Sequence, residues 1–294
     1  MATTPEYTVP DLHGRTILVT GANTGIGKAT AEALAGAGAT VVMTARDETR
    51  GIAARDDVRN ATGNDDVHVM DLDLASFASV RGFAARFTAQ YTELDVLVNN
   101  AGLMVSERRE SADGNELTLQ VNHLGPFLLT MLLRDPLVAA DRARVVNVSS
   151  DMHKRARTGI DFDDLQLTRR FNASYAYGRT KLANILFTRE LARRWADTGI
   201  DTNALHPGFV RSGFGQDGDM RGWMGYALRI VRPFAIGVEQ GAATSVYVAT
   251  APELAGVTGG FWAKCAPAEP SRAAHDDAAA ARLWDVSETL TGLP

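Results

Sequence analysis

Cysteine is all but missing. Cys265 is the one thiol in 294 residues, so an internal disulfide is excluded. A chain without disulfides suits a reducing compartment, and a cytoplasmic location is the expectation. The N-terminus, MATTPEYTVPDL, has no apolar core, which argues against a secretory signal. No run approaches the roughly eighteen consecutive apolar residues of a membrane span, so no transmembrane segment is expected. Positive charge is not in excess: 30 Lys and Arg stand against 35 Asp and Glu, for a formal charge of −5. No global field therefore draws nucleic acid, and the pairs Arg142/Arg144 and Arg169/Arg170 read as solvated loop faces. The six histidines, at 13, 68, 123, 153, 206 and 275, show no metal-ligand spacing, so no metal is expected. A G-x-S-x-G elbow is also missing, which leaves a hydrolase without support.

What is present is the composition of a globular protein, 45% hydrophobic and 22% charged. The length supports one large core and does not require two. No repeat or interdomain linker divides it, so residues 1–294 are read as a single domain. Thr16–Thr20 (TILVT) is a β-branched run that ends in a glycine-rich turn. Ile26–Ala35 reads as a helix, and Thr40–Thr44 (TVVMT) as a second strand. Val67–Met70, Val96–Val98, Val145–Val148 and Thr202–Leu205 repeat the pattern, with helical stretches between them. Short apolar runs without polar alternation are buried on both faces. The expected fold is therefore α/β: a doubly wound parallel sheet of Rossmann type in three layers, α/β/α. Glu239–Thr250 reads as a helix, Gly260–Ala263 as a last strand, and Ala273–Leu290 as a closing helical tail. Residues 213–234 break the rhythm with Phe214, Trp223, Met224 and Tyr226. The segment follows a strand end, where open α/β sheets bind ligands, and reads as a substrate lid. A peripheral packing helix is the other reading.

The first strand and first helix flank Thr20-Gly21-Ala22-Asn23-Thr24-Gly25-Ile26-Gly27. Gly21 permits a tight turn, Gly25 admits a pyrophosphate, and Gly27 lets the helix pack on the sheet. Free amides at the helix start would face the phosphates. Arg46 ends the second strand, where an acidic residue would select NAD and an arginine can pair with a 2′-phosphate. Asp47 follows it and can cap a helix or pair with Arg46. Thr24, Lys28 and Arg50 are alternative phosphate partners. Farther along, Tyr177 and Lys181 stand four residues apart, on one helix face if that segment is helical. Carbonyl reduction needs a hydride at carbon and a proton at oxygen, and a tuned tyrosine can give that proton. Tyr175 is a decoy, because the residue four later is Arg179.

Together, the glycine turn, Asn147-Val148-Ser149-Ser150 and Tyr177-Gly178-Arg179-Thr180-Lys181 resemble the signatures of the short-chain dehydrogenases/reductases. The likeness covers roughly residues 12–290. It is nearest the retinol-dehydrogenase-like branch, on Tyr177–Leu191, His206-Pro207-Gly208, the long Ser150–Tyr177 interval and Arg282–Ser287. The resemblance implies NADP(H) as cofactor and a catalytic set of Asn122, Ser150, Tyr177 and Lys181. Ser150 would polarise the carbonyl, with Ser149 the weaker candidate, and Asn122 would support a proton relay through Lys181. It further implies a cofactor site of Gly21, Asn23, Thr24, Gly25, Ile26, Gly27, Arg46, Asp71, Leu72, Asn99, Ala101 and Gly102. Tyr177 and Lys181 join that site, as do Pro207, Gly208, Val210 and Ser212 of a loop over the nicotinamide. Asp71 would meet the adenine edge, and Asn99 would also brace neighbouring strands.

The expected activity is NADPH-dependent reduction of a ketone or aldehyde on a bulky apolar small molecule. Phe209, Phe214, Trp223 and Tyr226 are candidate pocket walls, or else core and lid packing. Reduction of an activated carbon–carbon double bond is the alternative chemistry. A non-catalytic nucleotide-binding regulator is a third reading, one that the presence of both Tyr177 and Lys181 disfavours. Homo-oligomer formation is left open.

Overall fold

Alternate side chains along the central strands feed two separate cores. Leu18, Val42, Leu97 and Val145 point into one, which they share with Phe83, Phe87, Phe127, Phe187 and Trp284. Their strand neighbours Ile17, Val19, Val41, Val96, Val98 and Val146 point into the other, with Ala31, Leu34 and Val246. Each such side chain contributes about 1.5–3 kcal/mol on burial, so the sheet is held from both faces. The computed structural model describes residues 7–210 and 236–293. Ser212 and the expected lid at 213–234, with Phe214, Trp223 and Tyr226, lie outside the described residues.

The strands are β1 (Thr16–Val19), β2 (Thr40–Ala45), β3 (Val67–Asp71), β4 (Val96–Asn99), β5 (Arg144–Val148), β6 (Asp201–His206), β7 (Phe261–Ala263) and β8 (Ala266–Pro267). They form one sheet in the order β3-β2-β1-β4-β5-β6-β7-β8. Pairing is parallel from β3 through β7. Only β7–β8 is antiparallel, so the expected parallel sheet gains a short reversed edge. Helices α1 (Gly25–Gly36), α2 (Glu48–Thr62) and α3 (Phe77–Gln90) follow the first three strands. Helices Ala173–Arg194, Val238–Thr250 and Asp277–Thr291 complete the layers, giving α/β/α.

Strand order reverses between β1 and β4, and open sheets bind ligands at the carboxyl ends of such a switch point. The glycine turn after β1 and the Asn99–Gly102 turn after β4 both emerge there. Among the described residues, no helix is long and apolar enough to cross a membrane.

Candidate functional site

Gly21 adopts φ +62°, and a Cβ there would lie 2.9 Å from the Ala101 Cβ. At Gly27 a Cβ would lie 2.4 Å from Asn100 Nδ2 and 2.5 Å from the Gly21 carbonyl. The turns after β1 and β4 therefore touch only because glycine stands at these two positions. Asn100 stitches them by donating through Nδ2 to the Thr20 carbonyl at 2.8 Å. The Thr20 hydroxyl accepts from the amides of Asn100 and Ala101, both at 3.0 Å. Residue type alone gives neither Asn100 nor Thr20 a role, although Thr20 opens the glycine motif and Asn100 lies between Asn99 and Ala101.

Thr24 is the N-cap of α1 but makes no side-chain bond to the helix start, and the first turn holds no acidic residue. Those amides suit an anion, so the turn fits the pyrophosphate of a dinucleotide. Asn23 and Ile26 flank it, half-buried, and Thr24 is exposed. Arg46 follows Ala45 at the end of β2 and is exposed. Asp47 is spent on α2, where its side chain accepts from the Arg50 amide at 2.9 Å. Asp71 pairs in register with Ala45, and the buried Leu72 donates its amide to the Ala45 carbonyl at 3.1 Å. Arg46, Asp71 and Leu72 therefore share one edge of the switch point. The Asp71 carboxylate is held there by Arg86 at 2.8 Å.

Asn99 is buried in the sheet, and its Nδ2 donates to Asn147 Oδ1 at 2.9 Å and Thr130 Oγ1 at 3.0 Å. It braces β4 against β5. Asn147 passes the chain on to Thr188 of the Ala173–Arg194 helix at 2.9 Å. Along that helix, Asn172 caps the start by accepting from the Tyr175 amide. Tyr177 and Lys181 then fall one turn apart, with Lys181 Nζ 5.6 Å from the Tyr177 ring centroid. Between them, Arg179 points elsewhere and forms a buried ion pair with Glu116 at 3.1 Å. Tyr175 packs with Ile160 in a third apolar cluster.

The two serines after β5 divide their work. The buried Ser149 donates its hydroxyl to the Lys181 carbonyl at 2.7 Å. Ser150 instead caps a short 3-10 turn over Asp151–Arg155, accepting from the Met152 amide at 3.2 Å. Burial pushes the Tyr177 phenol up to about 12, and the neighbouring Ser150 side chain pulls the other way. Burial likewise draws the Lys181 ammonium down to about 8. Lys181 Nζ donates to the Val148 carbonyl at 2.9 Å.

Asn122 lies in a π-helical turn, Gln120–Leu124, that runs into the helix Gly125–Leu132. Such turns insert one residue and re-aim what they carry. Asn122 Nδ2 donates to the Leu103 carbonyl at 2.9 Å and to Thr180 Oγ1 at 3.0 Å. Its Oδ1 accepts from the Leu103 amide at 2.7 Å. A Cβ on Gly102 would lie 3.3 Å from both Asn122 Oδ1 and Lys181 Nζ, so these three residues form one floor. After β6, Pro207 and Gly208 turn beside the serine segment. Val210 bridges to Ile236 and packs on Gly241. Phe209 is half exposed.

The structure thus gathers Gly21–Gly27, Asn99–Gly102, Asn122, Ser150, Tyr177, Lys181 and Pro207–Gly208 at the carboxyl ends of neighbouring strands. Residues 15–161 match the short chain dehydrogenase family. The chain is 41% identical to retinol dehydrogenase 14 of Homo sapiens over 296 residues, covering 96% of this chain and 88% of that protein. Identity to retinol dehydrogenase 13 of Homo sapiens is 42% over 292 residues, with coverages of 98% and 87%. Among solved structures, an uncharacterized protein from Mycobacterium Paratuberculosis aligns with TM-score 0.77 at 35% identity. That alignment covers 97% of this chain and 96% of the other. The chain belongs to the short-chain dehydrogenase family. It is an NADP(H)-dependent oxidoreductase that acts on a carbonyl substrate.

Proposed function

We propose that this enzyme reduces a ketone or aldehyde on a bulky, largely apolar small molecule, with Tyr177 as proton donor. The observation that carries the reading is the placement of Tyr177 and Lys181 one turn apart on a helix, with Lys181 Nζ 5.6 Å from the Tyr177 ring centroid. Ser150, which lowers the Tyr177 phenol from beside it, would offer a second hydroxyl to the same carbonyl oxygen. NADPH, when bound, supplies the hydride. Gly21–Gly27, Arg46, Asp71, Leu72, Asn99, Ala101, Gly102, Pro207, Gly208, Val210 and Ser212 would hold it.

The protein's own residues manage the proton. With its phenol up at about 12, Tyr177 is protonated at neutral pH, the form that reduction consumes. Ser150 donates to the substrate oxygen and stabilises the charge that develops there. Lys181 places a buried cation one helical turn away, and this favours the phenolate left after proton transfer. Asn122 holds the floor beneath Lys181 and supports proton return. The relatives are retinol dehydrogenases, and retinol is a bulky, largely apolar alcohol, which supports this substrate class. We place the enzyme in the cytoplasm and take residues 1–294 as one domain.

A panel of bulky and short aliphatic ketones and aldehydes, assayed with NADPH, tests the substrate class. Bulky apolar carbonyls should be turned over faster, and NMR of the product should show a new carbinol. Equal turnover across the panel, or a saturated carbon–carbon bond beside an intact carbonyl, would contradict it.

A further inference from the structure

Two backbone amides converge on a single imidazole nitrogen between the serine segment and the turn after β6. The Asp151 amide donates to His206 Nδ1 at 3.3 Å, and the Gly208 amide donates to the same atom at 3.2 Å. Asp151 directly follows Ser150, and Gly208 belongs to the turn expected to cover the nicotinamide. Both donors need a lone pair on Nδ1, which assigns the ring proton to Nε2. Histidine spacing in the sequence shows no metal-ligand pattern and gives His206 no role.

We propose that His206 is a positioning residue that locks the Ser150 segment to the Pro207–Gly208 turn and releases both together when Nδ1 is protonated. The inference rests on the reading of Ser150 and Tyr177 given above. A proton on Nδ1 occupies the one acceptor atom, so both bonds are lost in a single event. The locked form is the neutral ring, and burial favours it by holding His206 below the ordinary histidine value. Asp151 opposes that shift, while His153, Lys154 and Lys264 act with burial. Those four are the charged or titratable groups that bear most on His206 among the described residues. Asp151 is itself paired with Lys154, which blunts its pull on the imidazole.

His153, on the same short turn, sets the contrast. Its Nδ1 bonds the Ser150 carbonyl at 2.7 Å, and its Nε2 accepts from the Ser271 amide at 2.9 Å. It steadies the serine from the C-terminal side and makes no bond to the Pro207–Gly208 turn. The coupling of the two turns runs through His206.

Asparagine can place Oδ1 where histidine places Nδ1, and it does not titrate. His206→Asn should therefore keep NADPH affinity and kcat/KM within about threefold of wild type near pH 8. On acidification toward about pH 5, wild type should lose NADPH affinity about tenfold more than His206→Asn. NADPH affinity is read by fluorescence titration. The cofactor's own 2′-phosphate titrates in this range, so the difference between the two proteins is the readout. His206→Leu should lower kcat and raise the NADPH KM at every pH, by about tenfold in kcat/KM. Long-range 1H–15N spectra of the cofactor-free wild type should report the Nε2–H tautomer. Superimposable acid profiles for wild type and His206→Asn would overturn the proposal, as would an Nδ1–H ring. If His206→Leu fails to fold, those two measurements still decide. Failure of the underlying reading looks different: Tyr177→Phe would then turn over like wild type, whatever the tautomer and NADPH titrations show.

Discussion

The Lys181 ammonium donates to the Val148 carbonyl at 2.9 Å, and the Lys181 carbonyl accepts from the Ser149 hydroxyl at 2.7 Å. Both ends of one lysine thus fasten the Tyr177 helix to the strand that leads into Ser150. Burial draws the ammonium down to about 8, so it is charged at neutral pH and loses that charge under mildly alkaline conditions. Wild-type affinity for NADPH should weaken as pH rises through about 8. Lys181→Ala should bind NADPH about tenfold more weakly at neutral pH, turn over more slowly, and lack that alkaline step. Fluorescence titration at several pH values, paired with steady-state kinetics, checks this. A variant with the wild-type pH profile and NADPH KM would contradict the role given to Lys181.

Arg46 should set the choice of coenzyme. It leaves β2 exposed beside the glycine turn, at the edge it shares with Asp71 and Leu72. Charge-assisted bonds of about 1.5–3 kcal/mol to a 2′-phosphate correspond to a roughly ten- to hundredfold effect. Arg46→Ala should lose that much kcat/KM with NADPH and change little with NADH. Kinetics with both coenzymes at matched ionic strength decide it. An unchanged preference would move phosphate recognition to Thr24, Lys28 or Arg50.

Acid should destabilise the protein before its carboxylates titrate. His123 is buried against Phe127 and Phe187 and hydrogen-bonds Ser287 through Nε2 at 2.9 Å. Burial holds it down at about 4, against 6.5 for a free histidine. Between those values the unfolded chain takes up a proton that the folded one refuses, so stability falls with falling pH. The shift corresponds to about 3 kcal/mol from this group, all of it lost by about pH 4. Burial lowers His153 and His206 as well, and both steepen the same window. Glu190, held low by its bonds to Arg193 and Arg194, loses its contribution only at still lower pH. Urea midpoints should drop between pH 6.5 and 4.5, and less steeply in His123→Gln. Equal slopes in the two proteins would contradict this.

Most strands were legible because each is a short, largely apolar run, and burial on both faces leaves that mark in sequence. The glycine turn was legible because its spacing answers to steric limits at Gly21 and Gly27. Other features leave no periodic trace. The π-helical turn at Asn122 adds one residue to a helix without disturbing its apolar pattern. Strand β8 is two residues long and ends in Pro267. Asn100, Thr20 and His206 act through backbone groups brought close by the sheet, and residue type alone does not reveal such partners. Ser149 and Ser150 are chemically identical, and only the direction of each side chain separates them. Arg179 marks Tyr175 as a decoy in the sequence, but its own partner, Glu116, lies 63 residues away and leaves no local trace.

The central claim is that Tyr177 gives the proton, and Tyr177→Phe tests it most directly because the ring stays and only the hydroxyl goes. Turnover of a bulky ketone and NADPH affinity should be measured on the same preparation. The kcat should fall about a hundredfold or more, with NADPH affinity almost unchanged. Near-wild-type turnover with NADPH bound would contradict it.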